Sequence, residues 1–369
     1  MIDFNLLIYI YSKAGIVVVF FVNACFWYRI LHIMKGGIVA MGVTQNATKD
    51  VAVPLKAKKK TGFLRDIVQN KVLYIMMLPL LVVLFFNNYL PMAGVLIAFK
   101  NYQYHGNNFF ENFFLSDWVG FRNFEFFTAT PDAFTITRNT LGYNFVFIFL
   151  GLVVSVLFAI MINEIKNKFL SKFYQASMLL PYFMSWIVVS YIVFALLGEE
   201  KGFVNKSLLP ALGLQEISWY AETEKWPFIL TIVNIWKITG YNTVIYIAAI
   251  AGIDQEFYEA AIVDGASKWQ QIKSITIPLL KTLMIILTLL AVGKVFYSDF
   301  GLFFQVPRNT GALFDTTATI DTYVYNALRN LNDVGMASAS GLYQSVCGFV
   351  LVMISNLVVR KIDPEQALF

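Results

Sequence analysis

Long apolar runs separated by short polar ones set the pattern of this chain. Seven stretches qualify as membrane-spanning helices, at roughly 15–34, 72–98, 141–162, 176–197, 228–251, 279–298 and 340–358. The criterion is length: about 20 mainly apolar residues are needed to cross about 30 Å of hydrocarbon. Pro79, Pro181 and Pro278 fall within or at the ends of these stretches, which membrane helices tolerate when neighbouring groups satisfy the freed carbonyls. In the third stretch Gly151, Ser155 and Ala159 recur at four-residue spacing, a stripe that lets a second helix approach closely. The pattern predicts an all-α integral membrane protein.

Composition points the same way. Of 369 residues, 58% are hydrophobic, 17% aromatic and 14% charged, with a mean hydropathy of +0.64, whereas soluble domains carry about 25% charge. Cys25 and Cys347 both lie in apolar runs, and His32 and His105 are the only histidines. A disulfide framework, a His-based metal site and a His-dependent triad therefore lack their parts. The phosphate-cradling G-x-x-x-x-G-K-[ST] loop is not found either, so no cofactor is expected on this chain.

Lysine and arginine give direction. If the second stretch starts in the cytoplasm, one set of loops holds Lys35, Lys49, the Lys56–Lys60 cluster, Lys166, Lys168, Lys172, Lys268, Lys273, Arg360 and Lys361. The longer opposite loops, 99–140, 198–227 and 299–339, are poorer in cations and hold most of the acids. The basic side reads as cytoplasmic, with the C-terminus inside. The net charge of +5 is then a topology signal and calls for no nucleic acid. Residues 1–40 read as an extra N-terminal hydrophobic helix and 41–71 as a basic cytoplasmic tether, although translated upstream sequence ahead of Met41 is a competing reading. Residues 72–369 form the main domain.

The loop Asp254–Pro278 is the most informative segment. Asp254 is placed to cap a helix whose Phe257, Tyr258, Ala261 and Ile262 make one apolar face. Gly265, after Asp264, can end that helix in the left-handed conformation. Ser267-x-x-Gln270 is a capping-box pattern opening a second helix with Trp269, Ile272 and Ile275. Pro278 suits the first turn of the next span. Two short helices with a sharp turn are predicted at the cytoplasmic surface.

Glu259-Ala260-Ala261, Gly265, Ile275 and Ile277-Pro278 resemble the E-A-A … G … I-x-L-P signature of permease subunits of binding-protein-dependent ABC importers, with Ile277 in place of the usual leucine. The resemblance covers about residues 72–369 and is nearest the sugar-type, LplB-like branch, a relative of the maltose-type permeases. Trp118–Phe124 and Ile320–Tyr325 also look like that branch. It implies a type I importer transmembrane domain of six core spans. It further implies a second permease subunit, a cytoplasmic ATPase dimer that binds ATP and magnesium, an extracytoplasmic solute-binding protein and a carbohydrate solute. Glu259, Ala260, Ala261, Asp264, Gly265, Ile275 and Pro278 would then make the ATPase-coupling element.

Polar residues inside spans mark candidate solute contacts. Asn234, Lys237 and Tyr241 share one face of the fifth stretch, with Lys237 about 14 Å deep at 1.5 Å per residue. Lys294, Tyr297 and Ser298 share a face of the sixth, and Tyr182 aligns with Trp186 in the fourth. Aromatic faces with a few hydrogen-bonding groups suit sugar rings, and for each residue ordinary packing is the competing reading. Alignment to the maltose-type permease places sugar contacts at Tyr182, Trp186, Lys237, Ile238, Tyr241, Ala291, Val295 and Ser298, where only the two tyrosines keep their type. The lysines would favour an anionic sugar. An ion-coupled secondary transporter is disfavoured because the span interiors hold no Asp or Glu. A membrane-embedded enzyme is disfavoured because clustered carboxylates are lacking. A permease for an amino acid, peptide or other polar nutrient stays open.

Overall fold

The computed structural model describes residues 71–103, 108–126 and 131–362. The first predicted span and the tether, up to residue 70, lie outside the described residues. The chain divides into two compact units, Met1–Leu96 and Ile97–Phe369.

In the first unit, α1 (Lys71–Leu84) holds Pro79 and runs on through a π turn, Phe85–Tyr89, into a 3₁₀ stretch, Leu90–Phe99, whose last three residues belong to the second unit. Together Tyr74–Phe99 is long and apolar enough to cross a membrane. Its side chains from Val72 to Phe86 are mostly exposed, as expected of a helix solvated by lipid.

The second unit begins with a small module: β1 (Lys100–Asn101), α2 (Phe109–Leu115) and β2 (Asp117–Trp118), which pairs antiparallel with β1. Then come α3 (Pro131–Asn163), α4 (Lys168–Phe183), α5 (Trp186–Leu197) and α6 (Trp226–Ala251). The chain continues through α7 (Gln255–Val263), α8 (Lys268–Gln271), α9 (Ile277–Val292), α10 (Ile320–Leu331) and α11 (Val334–Ile362). Among the described residues five spans pass on length and hydropathy, and the bent pair α4–α5 makes a sixth.

Three departures from the sequence reading have physical causes. The fourth predicted stretch, 176–197, is not one straight helix: α4 and α5 meet at 97°. Pro181 removes a hydrogen-bond donor, Met184 and Ser185 go extended, and Ser185 Oγ then accepts the Val188 N–H at 3.3 Å to start α5. Second, α3 starts ten residues earlier than its apolar run. Its polar first turns are satisfied by a distant segment: Asn139 Nδ2 donates to the carbonyls of Asp315 and Ala318, and Tyr143 Oη to that of Thr316. Third, α8 does not stand apart from the next span. It passes through a π turn, Ile272–Thr276, straight into α9, making one element from Lys268 to Val292. Pro278 cannot donate a helical hydrogen bond, and the widened turn just ahead of it absorbs that loss.

Helix α6 is the central strut. At one end Trp226, Leu230 and Val233 join Tyr143 of α3, Val189 and Val193 of α5, and Leu302, Phe303 and Val306 in a buried cluster. At the other end Tyr246 and Ile250 pack with Val156 and Ala159 of α3 and Leu280 of α9. Gly240 lets α4 touch α6 backbone to backbone: a Cβ there would lie 1.8 Å from the Met178 carbonyl oxygen. Only glycine fits.

Candidate functional site

The elbow between α4 and α5 brings together four of the predicted pathway residues. Ending α4 at Phe183 leaves backbone carbonyls without helical partners. Lys237 Nζ, from α6, donates to three carbonyls there: Pro181 at 3.1 Å, which also accepts the Met184 N–H, Tyr182 at 3.0 Å and Met184 at 2.5 Å. An ammonium has three protons, so every donor is used, and its charge sits at the negative end of a helix. The same group lies 5.0 Å from the centre of the Trp186 ring and 6.0 Å from that of Tyr182, within cation–π range. Lys237 is buried among these groups.

Tyr182 stacks on Tyr241 with ring centres 4.6 Å apart and planes within 11°. Both rings remain partly open, about 39% and 44% of their residue surfaces, and form an aromatic ledge beside the elbow. Trp186 Nε1 donates to Asp299 Oδ2 at 2.9 Å, and the other carboxylate oxygen accepts the N–H groups of Gly301 and Leu302. Burial pushes the Asp299 carboxyl above its ordinary range, while these hydrogen bonds and the Lys237 charge pull it back. Trp186 also lies against Gly301, where a Cβ would fall 2.0 Å from the indole ring.

Asn234 sits on α6 three residues before Lys237 and lines a half-open cavity of about 280 Å³ bordered by α3, α6 and α9. Its polar lining includes Asn144, Thr239, Asn242, Thr288 and Asp299, and among the described residues Thr239 Oγ1 has no hydrogen-bond partner. The sequence reading did not single out Asn144, Asn242, Thr288 or Asp299. An asparagine in an otherwise apolar span was the available signal for the first two. Asp299 had none, because it falls beyond the end of α9.

The Lys294, Tyr297, Ser298 set does not join this site. Lys294 is exposed. Tyr297 Oη shares a 2.7 Å hydrogen bond with Ser345 Oγ of α11. Ser298 gives its N–H and its hydroxyl to Asp321 at 2.6 and 2.7 Å. Asn144 Nδ2 caps the unwound end of α9 by donating to the Val295 and Tyr297 carbonyls.

Beyond the C-terminal end of α6 the 254–278 loop adopts the caps its sequence predicts. Asp254 Oδ1 accepts the Glu256 N–H at 3.1 Å. Gly265 has φ +76°, and the Ala266 and Gly265 N–H groups return to the carbonyls of Ala261 and Ile262 at 2.8 and 3.0 Å. That is a Schellman termination. Ser267 and Gln270 form a reciprocal capping box. Tyr258 Oη meets Thr276 Oγ1 at 2.9 Å, pinning α7 to the π turn before α9. Glu259, Ala260 and Asp264 are exposed, and so are Phe257, Ile262 and Val263, while Ile275 is half-buried and Pro278 open. On the apolar face of α7, Phe257 and Ile262 are thus left exposed by the described residues, while Tyr258 and Ala261 are half-buried.

Residues 148–364 match the family described as binding-protein-dependent transport system inner membrane component. The chain belongs to this family. It is 34% identical to Protein LplB of Bacillus subtilis over 84% of the chain and 95% of that protein. It is 31% identical to the polygalacturonan/rhamnogalacturonan transport system permease protein YteP of the same organism, over 85% and 95%. A chain of a bacterial ABC transporter involved in import of the acidic polysaccharide alginate superposes with a TM-score of 0.73 at 29% identity, covering 81% of this chain and 99% of that one. This permease is therefore a multi-pass inner-membrane subunit of the sugar-type ABC importers, with the type I transmembrane fold. It is not an enzyme: ATP hydrolysis belongs to a separate subunit.

Proposed function

We propose that this permease carries oligosaccharide fragments of polysaccharides, acidic ones among them, from an extracytoplasmic binding protein into the cell. It would pair with a second permease subunit and two cytoplasmic ATPase subunits that hold ATP and magnesium, with its own C-terminus on the cytoplasmic side. The observation that carries the solute class is the Tyr182–Tyr241 ledge beside a cavity lined by amides and hydroxyls. Sugar rings offer apolar C–H faces to stack and hydroxyls to satisfy. The similarity to the polygalacturonan/rhamnogalacturonan permease YteP and to the alginate transporter supports an acidic solute. Lys237 supports it less than its sequence position suggests, because its donors are held by backbone carbonyls.

On the cytoplasmic side, Glu259, Ala260, Ala261, Asp264, Gly265, Ile275 and Pro278 make the ATPase-coupling element, and the exposed face of α7 is what the ATPase would grip. The test is ATP hydrolysis by the reconstituted complex in proteoliposomes, stimulated by binding protein loaded with uronic-acid oligosaccharides, neutral oligosaccharides or peptides. Stimulation by the saccharides, reduced roughly tenfold in Tyr241→Ala with capture by the binding protein unchanged, is the expected result. Stimulation by peptides or amino acids alone overturns the solute class.

A further inference from the structure

The module between the first described span and α3 is built inside out. Its lysine is its most protected charge: Lys100 is 4% exposed, and its Nζ donates to the carbonyls of Phe113 at 2.6 Å and Ser116 at 3.1 Å, closing the end of α2. Asn112 and Ser116 are buried too, and Ser116 Oγ donates to the Asn112 carbonyl while accepting the Gln103 N–H. Asn123 Nδ2 donates to the Ala98 and Lys100 carbonyls, both at 2.9 Å. The outer surface carries the large apolar side chains: Phe114 is 74% exposed, Phe121 75%, Leu115 and Trp118 63% each, and Phe109 40%. A module surrounded by water would show the reverse arrangement.

Chain continuity fixes what surrounds it. The span Tyr74–Phe99 ends one residue before β1, and the span Asp132–Asn163 begins shortly after the module. The module is therefore held near the start of the Asp132–Asn163 span. Gly335, at the start of α11, fits against Asn123 so closely that a Cβ would lie 2.7 Å from Nδ2, which ties the module to the end of a third span. Phe and Trp side chains favour that level of a bilayer. The exposed charges, Glu111, Asp117, Arg122 and Glu125, are of both signs and suit a zwitterionic headgroup layer.

We propose that Phe109, Phe114, Leu115, Trp118 and Phe121 form a lipid-docking surface. They seat this module in the headgroup–acyl boundary of the leaflet opposite the coupling loop. The buried hydrogen bonds of Lys100 keep the module rigid, and the aromatic face anchors the outer ends of the spans it joins.

The test uses the assembled importer in nanodiscs, with Cys25 and Cys347 replaced and a single fluorophore-labelled cysteine introduced as Phe114→Cys or Phe121→Cys. Lipids carrying a nitroxide near the headgroup should quench both labels strongly, with weaker quenching by nitroxides deep in the acyl chains. Aqueous iodide should quench them far less than a control label at Glu216, an exposed loop residue. Iodide quenching at the control level overturns the proposal. So does shielding from both lipid and iodide, which would place a protein subunit on this face. The two label positions lie in different elements, so failure of one variant to assemble leaves the other as the readout.

Discussion

Lys237 shows how one residue can read as a solute contact and act as a splint. Its ammonium bonds the Pro181, Tyr182 and Met184 carbonyls where α4 stops, the first of which also accepts the Met184 N–H, and a buried carbonyl left without a donor costs about 1–3 kcal/mol. Lys237→Ala should therefore lower the thermal midpoint of the purified complex, by roughly 2–4 kcal/mol of stability, whether or not solute is present. Lys294→Ala, at an exposed position, should leave it within about 0.5 kcal/mol. Equal midpoints for the two variants would show that the elbow does not need the cation. Asp321 gives a pH test. Burial raises its carboxyl above the ordinary 3.8, against the hydrogen bonds from Ser298. An acid whose native pKa is raised binds its proton more tightly folded than unfolded, so its contribution to stability is full below 3.8 and is lost as pH climbs through the native value. Asp321→Asn should gain stability relative to the parent as pH rises from 4 upward, followed as melting midpoints at a series of pH values. A difference that stays flat with pH would assign the raised pKa no energetic weight.

Elements divide into those whose signals are local and those whose partners are remote. The turn between α7 and α8 was fully legible, because Asp254, Gly265, Ser267 and Gln270 act within a few residues of themselves. Gly265 at φ +76° is the position where a side chain would be strained by about 1–2 kcal/mol. Gly265→Val should accordingly reduce solute-stimulated ATP hydrolysis more than it reduces the melting midpoint, and an unchanged rate would separate the turn from coupling. The early start of α3 was illegible, because Asn139 and Tyr143 are satisfied by carbonyls more than 170 positions away. The elbow was half legible: Pro181 announced a break, but the 97° turn rests on a lysine from another helix. Nothing in the local pattern marked the π turn that fuses α8 to α9. The grouping of Tyr182, Trp186, Lys237 and Tyr241 followed from helical spacing and the family alignment. The detachment of Tyr297 and Ser298 required their partners Ser345 and Asp321.

At the scale of the molecule, the elbow site meets α6 near its middle, and the coupling loop follows its C-terminal end. From Lys237 to Ala251, the last residue of α6, is a rise of about 21 Å at 1.5 Å per residue. Two buried clusters clamp that helix to α3, one near each end, so α6 can tilt but has little freedom to flex. The coupling loop has a second rigid exit, since α8 continues through the π turn into α9, and α9 lines the same cavity through Leu287, Thr288 and Ala291. If the ATPase moves α7 as proposed, the displacement reaches two walls of the cavity at once, and a rigid-body motion is what packed helices transmit best. Inserting two glycines after Gln271 would leave α7 and its exposed face intact while breaking the path into α9. The ATPase subunit should still copurify with this variant, whereas solute-stimulated hydrolysis and uptake into proteoliposomes should fall by about tenfold or more. Normal uptake in the insertion variant would mean that α6 alone carries the stroke, and the continuity of α8 with α9 would then be a feature of packing only.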